Sequence, residues 1–135
     1  MAALNANSYY QQQQVTTASR GQLLVLAYDG AIRFLAEGRR AMAVQDYERQ
    51  NLNLQKAQAI LLELRFSLDH SMAPELCASL DGLYRYMHTR LMHANTADDQ
   101  QALLEVAGML GELRDTWAEA DLLARNEKPA LVTAG

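Results

Sequence analysis

Three stretches of the chain repeat apolar residues at intervals of three and four. They are Leu54, Ala57, Leu61, Leu64, Leu68; then Leu76, Leu80, Leu83, Met87, Leu91; then Leu103, Val106, Leu110, Leu113, Trp117. That spacing places each set on one face of an α-helix, as in a helix bundle. A fourth stretch, Leu23-Leu24-Val25-Leu26-Ala27-Tyr28, is apolar on every side, the pattern of a buried helix. No segment alternates with period two over a useful length, so no sheet is expected.

Local signals bound these helices. Ser19-Arg20-Gly21-Gln22 has capping-box spacing and starts the first helix, which should reach about Met42. Asp46 can cap the second, ending near His70, and Pro74 suits the first turn of the third. Thr96 or Asp98 can cap the fourth, with Pro129 beyond its end. The expected fold is all-α, an antiparallel up-down four-helix bundle with a flexible N-terminal arm. Very short connections force consecutive helices to be antiparallel neighbours. Residues 1–18 read as the arm, 19–124 as the bundle and 125–135 as a loose tail.

Composition narrows the function. Half of the 135 residues are apolar, enough for a core without staples. The net charge is −4 with both signs mixed along the chain, so there is no basic stripe for nucleic acid or an anionic membrane. No apolar run approaches the ~20 residues that span a bilayer. The N-terminus has no secretory-signal pattern, and Cys77 as the single cysteine agrees with a reducing cytosol.

Chemistry-bearing residues are sparse. No Glu-x-x-His pair accompanies His70, His88 or His93, so a di-iron site, and any metal or cofactor, is not expected. Cys77 reads as a packed thiol and Asp29 as a structural carboxylate, since neither has a visible catalytic partner. The chain is therefore expected not to be an enzyme. Trp117 continues its helix stripe and reads as core. Gly30, Gly38, Gly82, Gly108 and Gly111 interrupt helices at about 1 kcal/mol each relative to alanine. They mark either close helix approach or the floor of a groove.

A second apolar stripe carries more information. Leu52, Ala59, Leu62 and Phe66 run beside the core stripe of the second helix, and Tyr84 and Tyr86 straddle that of the third. A bundle core needs one stripe, so a wider one reads as a broad core or as a groove for amphipathic partner segments. Tyr9, Tyr10 and Val15 are the main large apolar groups of the otherwise polar arm and are candidates for a cap over such a groove.

In chain order, several blocks resemble the flagellar secretion chaperones of the FliS family. The first is Tyr10-Gln11-Gln12 with Val15-Thr16-Thr17-Ala18-Ser19, continuing through Gly21-Gln22-Leu23 and Leu26-Ala27-Tyr28-Asp29-Gly30-Ala31-Ile32-Arg33-Phe34. The second is Asn51-Leu52-Asn53-Leu54-Gln55-Lys56-Ala57-Gln58, with Ile60, Glu63-Leu64 and Phe66-Ser67-Leu68-Asp69. The third is Leu83-Tyr84-Arg85-Tyr86-Met87 with Arg90-Leu91 and Ala94-Asn95. The fourth is Glu105-Val106 with Leu113-Arg114-Asp115-Thr116-Trp117. Two positions depart from the family pattern: Arg20 stands where proline is usual, and Ala27 where a larger apolar residue is common.

The resemblance implies a cytosolic export chaperone that binds the disordered C-terminal segment of flagellin and prevents premature polymerisation. It implies an N-terminal arm that lies over the groove and is moved by flagellin, with Tyr9 and Tyr10 in that role. Flagellar export-apparatus components are further expected partners. A different helix-bundle adaptor or regulator for amphipathic segments is the alternative reading.

Overall fold

The computed structural model describes residues 19–134, with side chains up to residue 126. Helix α1 spans Arg20–Ala43, α2 Tyr47–Phe66, α3 Pro74–Ala97 and α4 Gln100–Ala134, with no strand among the described residues. Helix α1 packs on α2 and α4, and α3 packs on the same two. Each helix thus touches the next in sequence, and α4 closes the ring on α1, which is the up-down-up-down bundle that the stripes and short connections require.

The helix starts follow the expected chemistry, with one exception. The Ser19 hydroxyl accepts from the Gln22 amide at 3.1 Å, and the Gln22 side chain accepts from the Ser19 amide at 2.8 Å. Asp46 accepts from the Arg49 amide, and Pro74 opens α3. Helix α4 is capped by Asp99, whose carboxylate accepts from the Gln101 and Ala102 amides. Thr96 cannot serve, because it lies in the last turn of α3 and bonds back to the Met92 carbonyl. Asp98 adopts left-handed backbone geometry, φ 53°, as the residue that terminates α3.

Two ends differ from expectation. Helix α2 stops at Phe66 and not near His70, since Asp69 turns its carboxylate onto the Ser71 amide and hydroxyl. A side chain that satisfies backbone donors locally competes with helix continuation. Helix α4 continues to Ala134, past the end expected near residue 124 and through Pro129. Pro129 has no amide to give the Arg125 carbonyl, and Arg125 is exposed, so water can serve that oxygen.

The core contains Leu54, Ala57, Leu61 and Leu64 of α2, as the stripe predicts, with Leu35, Leu91, Leu103, Val106 and Leu110 opposite. In α3 Leu80, Met87 and Leu91 of the expected stripe are buried, but Cys77 and Tyr84 take the places of Leu76 and Leu83. Cys77, Leu80, Tyr84, Met87 and Leu91 face inward, while Leu76 and Leu83 are exposed. At the far end, the buried Gln50 amide donates to the Asp98 carboxylate at 2.9 Å and to Asn95 Oδ1 at 3.1 Å. These bonds tie α2 to the α3–α4 turn.

The glycines divide into two kinds. A Cβ on Gly38 would sit 2.9 Å from Leu54 Cδ2, so this glycine lets α1 and α2 approach. A Cβ on Gly82, Gly108 or Gly111 would meet nothing within 4 Å, so close approach does not explain these three. Gly38→Ala should therefore destabilise by roughly 1–3 kcal/mol, because Leu54 is fully buried and has little room to retreat. Gly108→Ala should stabilise by about 0.5–1 kcal/mol through helix propensity. Urea unfolding of both variants checks this; shifts of the same sign would contradict it.

Candidate functional site

An apolar cavity of about 550 Å³ opens at the end of the bundle where α1 begins and α2 joins α3. Leu23, Leu24 and Ala27 come from α1, and Ile60 and Leu64 from α2. Leu68 and Met72 lie in the connection, Leu76, Cys77, Leu80 and Tyr84 on α3, and Trp117 on α4. The exposed Arg20, Glu63, Ser67 and Asp69 form a polar rim. An apolar interior with a few polar groups at its edge is how binding clefts are usually built.

Sequence accounts for the walls. The stretch Leu23–Tyr28 has apolar groups on every side, and the bundle core uses one of them fully, Tyr28. Leu23, Leu24 and Ala27 remain half-buried and face the cavity. On α4 the opposite wall is pinned to α1. The Ser19 hydroxyl bonds the buried Asp121 carboxylate, whose second oxygen takes Arg125 Nε at 3.0 Å. Gly21 permits this contact, since a Cβ there would lie 2.7 Å from Asp121 Cβ.

Two tyrosines lie under the cavity. The Tyr28 and Tyr84 hydroxyls are 2.6 Å apart in the core. Burial raises the Tyr28 pKa, with hydrogen bonds to Tyr84 and Trp117 opposing it. Burial raises Tyr84 strongly, and its hydrogen bond with Tyr28 adds to it. Both stay neutral at ordinary pH and act as phenol donors and acceptors. The Cys77 thiol is buried and donates to the Asp69 carbonyl at 3.3 Å, a packed thiol as expected. Asp29 pairs with Arg114 at 2.9 Å across α1 and α4, which gives it the structural partner foreseen for it. No group of three or more His, Cys, Asp or Glu residues could hold a metal among the described residues.

A second, shallower groove of about 490 Å³ runs along α2 and α3. Ala59 and Leu62 line it with His88 and Met92. A neighbouring hollow of about 240 Å³ takes in Leu61, Leu62 and Tyr84, so the Tyr84 ring lies between this outer surface and the main cavity. Leu52 and Phe66 lie on the same face of α2, 51% and 77% exposed.

The structure thus groups Ala59 and Leu62, flanks them with Leu52 and Phe66, and buries Tyr84 beneath. It separates Tyr86, whose hydroxyl bonds Glu105 at 2.6 Å on the side of α3 toward α4. Tyr9, Tyr10 and Val15 lie outside the described residues. Sequence reasoning missed the cavity lined by Leu23, Leu24, Ala27, Ile60 and Leu76. Trp117, expected as core alone, packs against the core and also lines that cavity. The excess apolarity of Leu23–Tyr28 was the available signal.

A family model described as "Flagellar protein FliS" matches residues 2–124. The chain is 39% identical over 128 residues to the flagellar secretion chaperone FliS of Bacillus subtilis, covering 95% of each chain. It is 36% identical over 121 residues to the flagellar secretion chaperone FliSB of Pseudomonas aeruginosa, covering 87% of this chain and 96% of the relative. A solved bacterial flagellar chaperone shares the fold with a TM-score of 0.72 at 19% identity, over 87% of this chain and 96% of that one. The chain belongs to the FliS family of flagellar secretion chaperones.

Proposed function

We propose that this chain holds the disordered C-terminal segment of flagellin in the cytosol, prevents its premature polymerisation and supports its delivery to the flagellar export apparatus. The observation that carries this reading is the 550 Å³ apolar cavity, left uncovered by the described residues, with the exposed α2 stripe on the far side of the Tyr84 ring. A segment destined to polymerise has an apolar face that must be shielded before assembly. Ordering a disordered segment costs conformational entropy, so the contact has to be long and mostly apolar. Leu52, Ala59, Leu62 and Phe66 offer such a track along α2, above the Tyr84 ring. Tyr86 stands apart, and its role in this reading is a contact on the α3–α4 side.

Tyr9, Tyr10 and Val15 enter as the cap. They precede Ser19, and Arg20 and Gly21 form part of the cavity lining, so the chain leaves the arm beside the opening. A tethered ring is present at high effective concentration and shields an apolar opening until a partner displaces it.

Calorimetric titration with a C-terminal flagellin segment tests the reading. Burial of apolar surface predicts a negative heat-capacity change on binding. The mixed surface charge predicts that affinity survives above ~0.2 M salt. Absence of binding, or binding that collapses at that salt level, would contradict it.

A further inference from the structure

No residue from Arg20 to Ala27 is buried, and the buried face of α1 begins at Tyr28. These first turns form a wall of the apolar cavity, to which Gly21, Leu23, Leu24 and Ala27 contribute. Their inner side faces open space, so they gain less from core packing than the turns that follow. Among the described residues, one hydrogen bond ties residues 19–27 to another helix. It runs from the Ser19 hydroxyl to the Asp121 carboxylate on α4.

Three residues shape this contact around Asp121. Its carboxylate is the one buried charged side chain among the described residues, at 8% exposure. One oxygen takes the Ser19 proton and the other takes Arg125 Nε at 3.0 Å, so both are paired. The Ser19 hydroxyl also accepts from the Gln22 amide, so a single atom caps α1 and anchors it. Gly21 omits the Cβ that would meet Asp121 Cβ at 2.7 Å. A buried ion pair is a weak source of stability, because desolvation offsets the attraction, and its best-attested use is to fix register.

We infer that Asp121 is a positioning residue for the cavity: through Ser19 it holds the first turns of α1 in place, so that the cavity is formed before its partner arrives. The inference rests on the flagellin reading and deepens it. It assigns part of the affinity to a side chain that does not itself line the cavity. A partner that meets a loose wall binds more weakly, in proportion to the fraction of time the wall is in place.

Asp121→Ala and Asp121→Asn test this in the full chain. Alanine removes the acceptor, whereas asparagine keeps an oxygen for Ser19. In the free protein, Asp121→Ala should raise amide hydrogen exchange at residues 23–27 by about tenfold or more and leave the buried α2 stripe unchanged. In titration with a C-terminal flagellin peptide, Asp121→Ala should bind about tenfold more weakly, as for a wall in place about one-tenth of the time. Asp121→Asn should stay within about threefold of wild type. Leu54→Ala is the control for stability alone. Leu54 is fully buried but outside the cavity lining, so this variant should melt lower yet bind within about twofold of wild type.

Unchanged exchange at residues 23–27 in Asp121→Ala overturns the anchor. Raised exchange with affinity held or tightened overturns its role in binding. So does an asparagine variant weakened as much as the alanine, or a Leu54→Ala variant weakened equally. A wild-type chain that binds no peptide overturns the flagellin reading and the binding role with it, while the exchange result still decides the anchor.

Discussion

Ala27→Phe is expected to abolish binding of the flagellin C-terminal segment while the bundle stays folded. Ala27 is half-buried on α1 and lines the 550 Å³ cavity together with Ile60, Leu64, Leu80 and Trp117. A benzyl group at this position extends into empty apolar space. Overpacking costs arise when added atoms meet an already filled core. Here the void accepts them, so stability should change by no more than about 1 kcal/mol. The partner loses the same space. Blocking a central, water-excluding pocket removes a binding hot spot, and a loss of about 3 kcal/mol or more corresponds to at least about 100-fold in affinity. Titration and a thermal melt of the same preparation check both halves. An unchanged affinity would mean that the segment seats elsewhere.

The largest effect on stability is expected for Leu54→Ala. Leu54 is fully buried and fills the notch that Gly38 leaves in α1. Truncation removes the transfer energy of the side chain and leaves a cavity between two helices. Buried leucine truncations cost about 2–5 kcal/mol, and the tight seat over Gly38 points to the upper half of that range. For a chain of this length the melting temperature should fall by roughly 10 °C or more. Denaturant and thermal unfolding measure it. A loss below about 1 kcal/mol would show that α1 and α2 close over the gap.

Leu54 also shows why much of the fold was legible in the sequence. Its stripe partners Ala57, Leu61 and Leu64 are buried as the three-and-four spacing requires. A helix converts sequence spacing directly into a face, with no need of knowledge about distant residues. The Ser19 capping box is equally local, and it forms with both of its bonds.

Where the outcome depends on distant partners, the reading slipped. In α3 the Leu76 and Leu83 phase looked more apolar than the Cys77 and Tyr84 phase. The fold chose the latter because the Tyr84 hydroxyl finds that of Tyr28, 56 positions away in sequence. Asp99 took the cap expected of Thr96 or Asp98 because α3 runs on to Ala97 and Asp98 turns left-handed. The second stripe of α2 was read as either a broad core or a groove, and Leu52, Leu62 and Phe66 are exposed, yet the residue pattern did not show which helix pair would enclose a cavity. That depends on how the start of α1 sits against α3 and α4, and the pinning of Asp121 to Ser19 joins residues 102 positions apart.

The partner segment is expected to enter the cavity at the start of α1. Trp117 is the only tryptophan in the chain and lines that cavity, so its fluorescence reports on the site. During titration with the flagellin C-terminal segment, Trp117 emission should change saturably, with the same midpoint as the binding heat. Saturable heat with Trp117 emission unchanged throughout would mean that the segment binds outside this cavity.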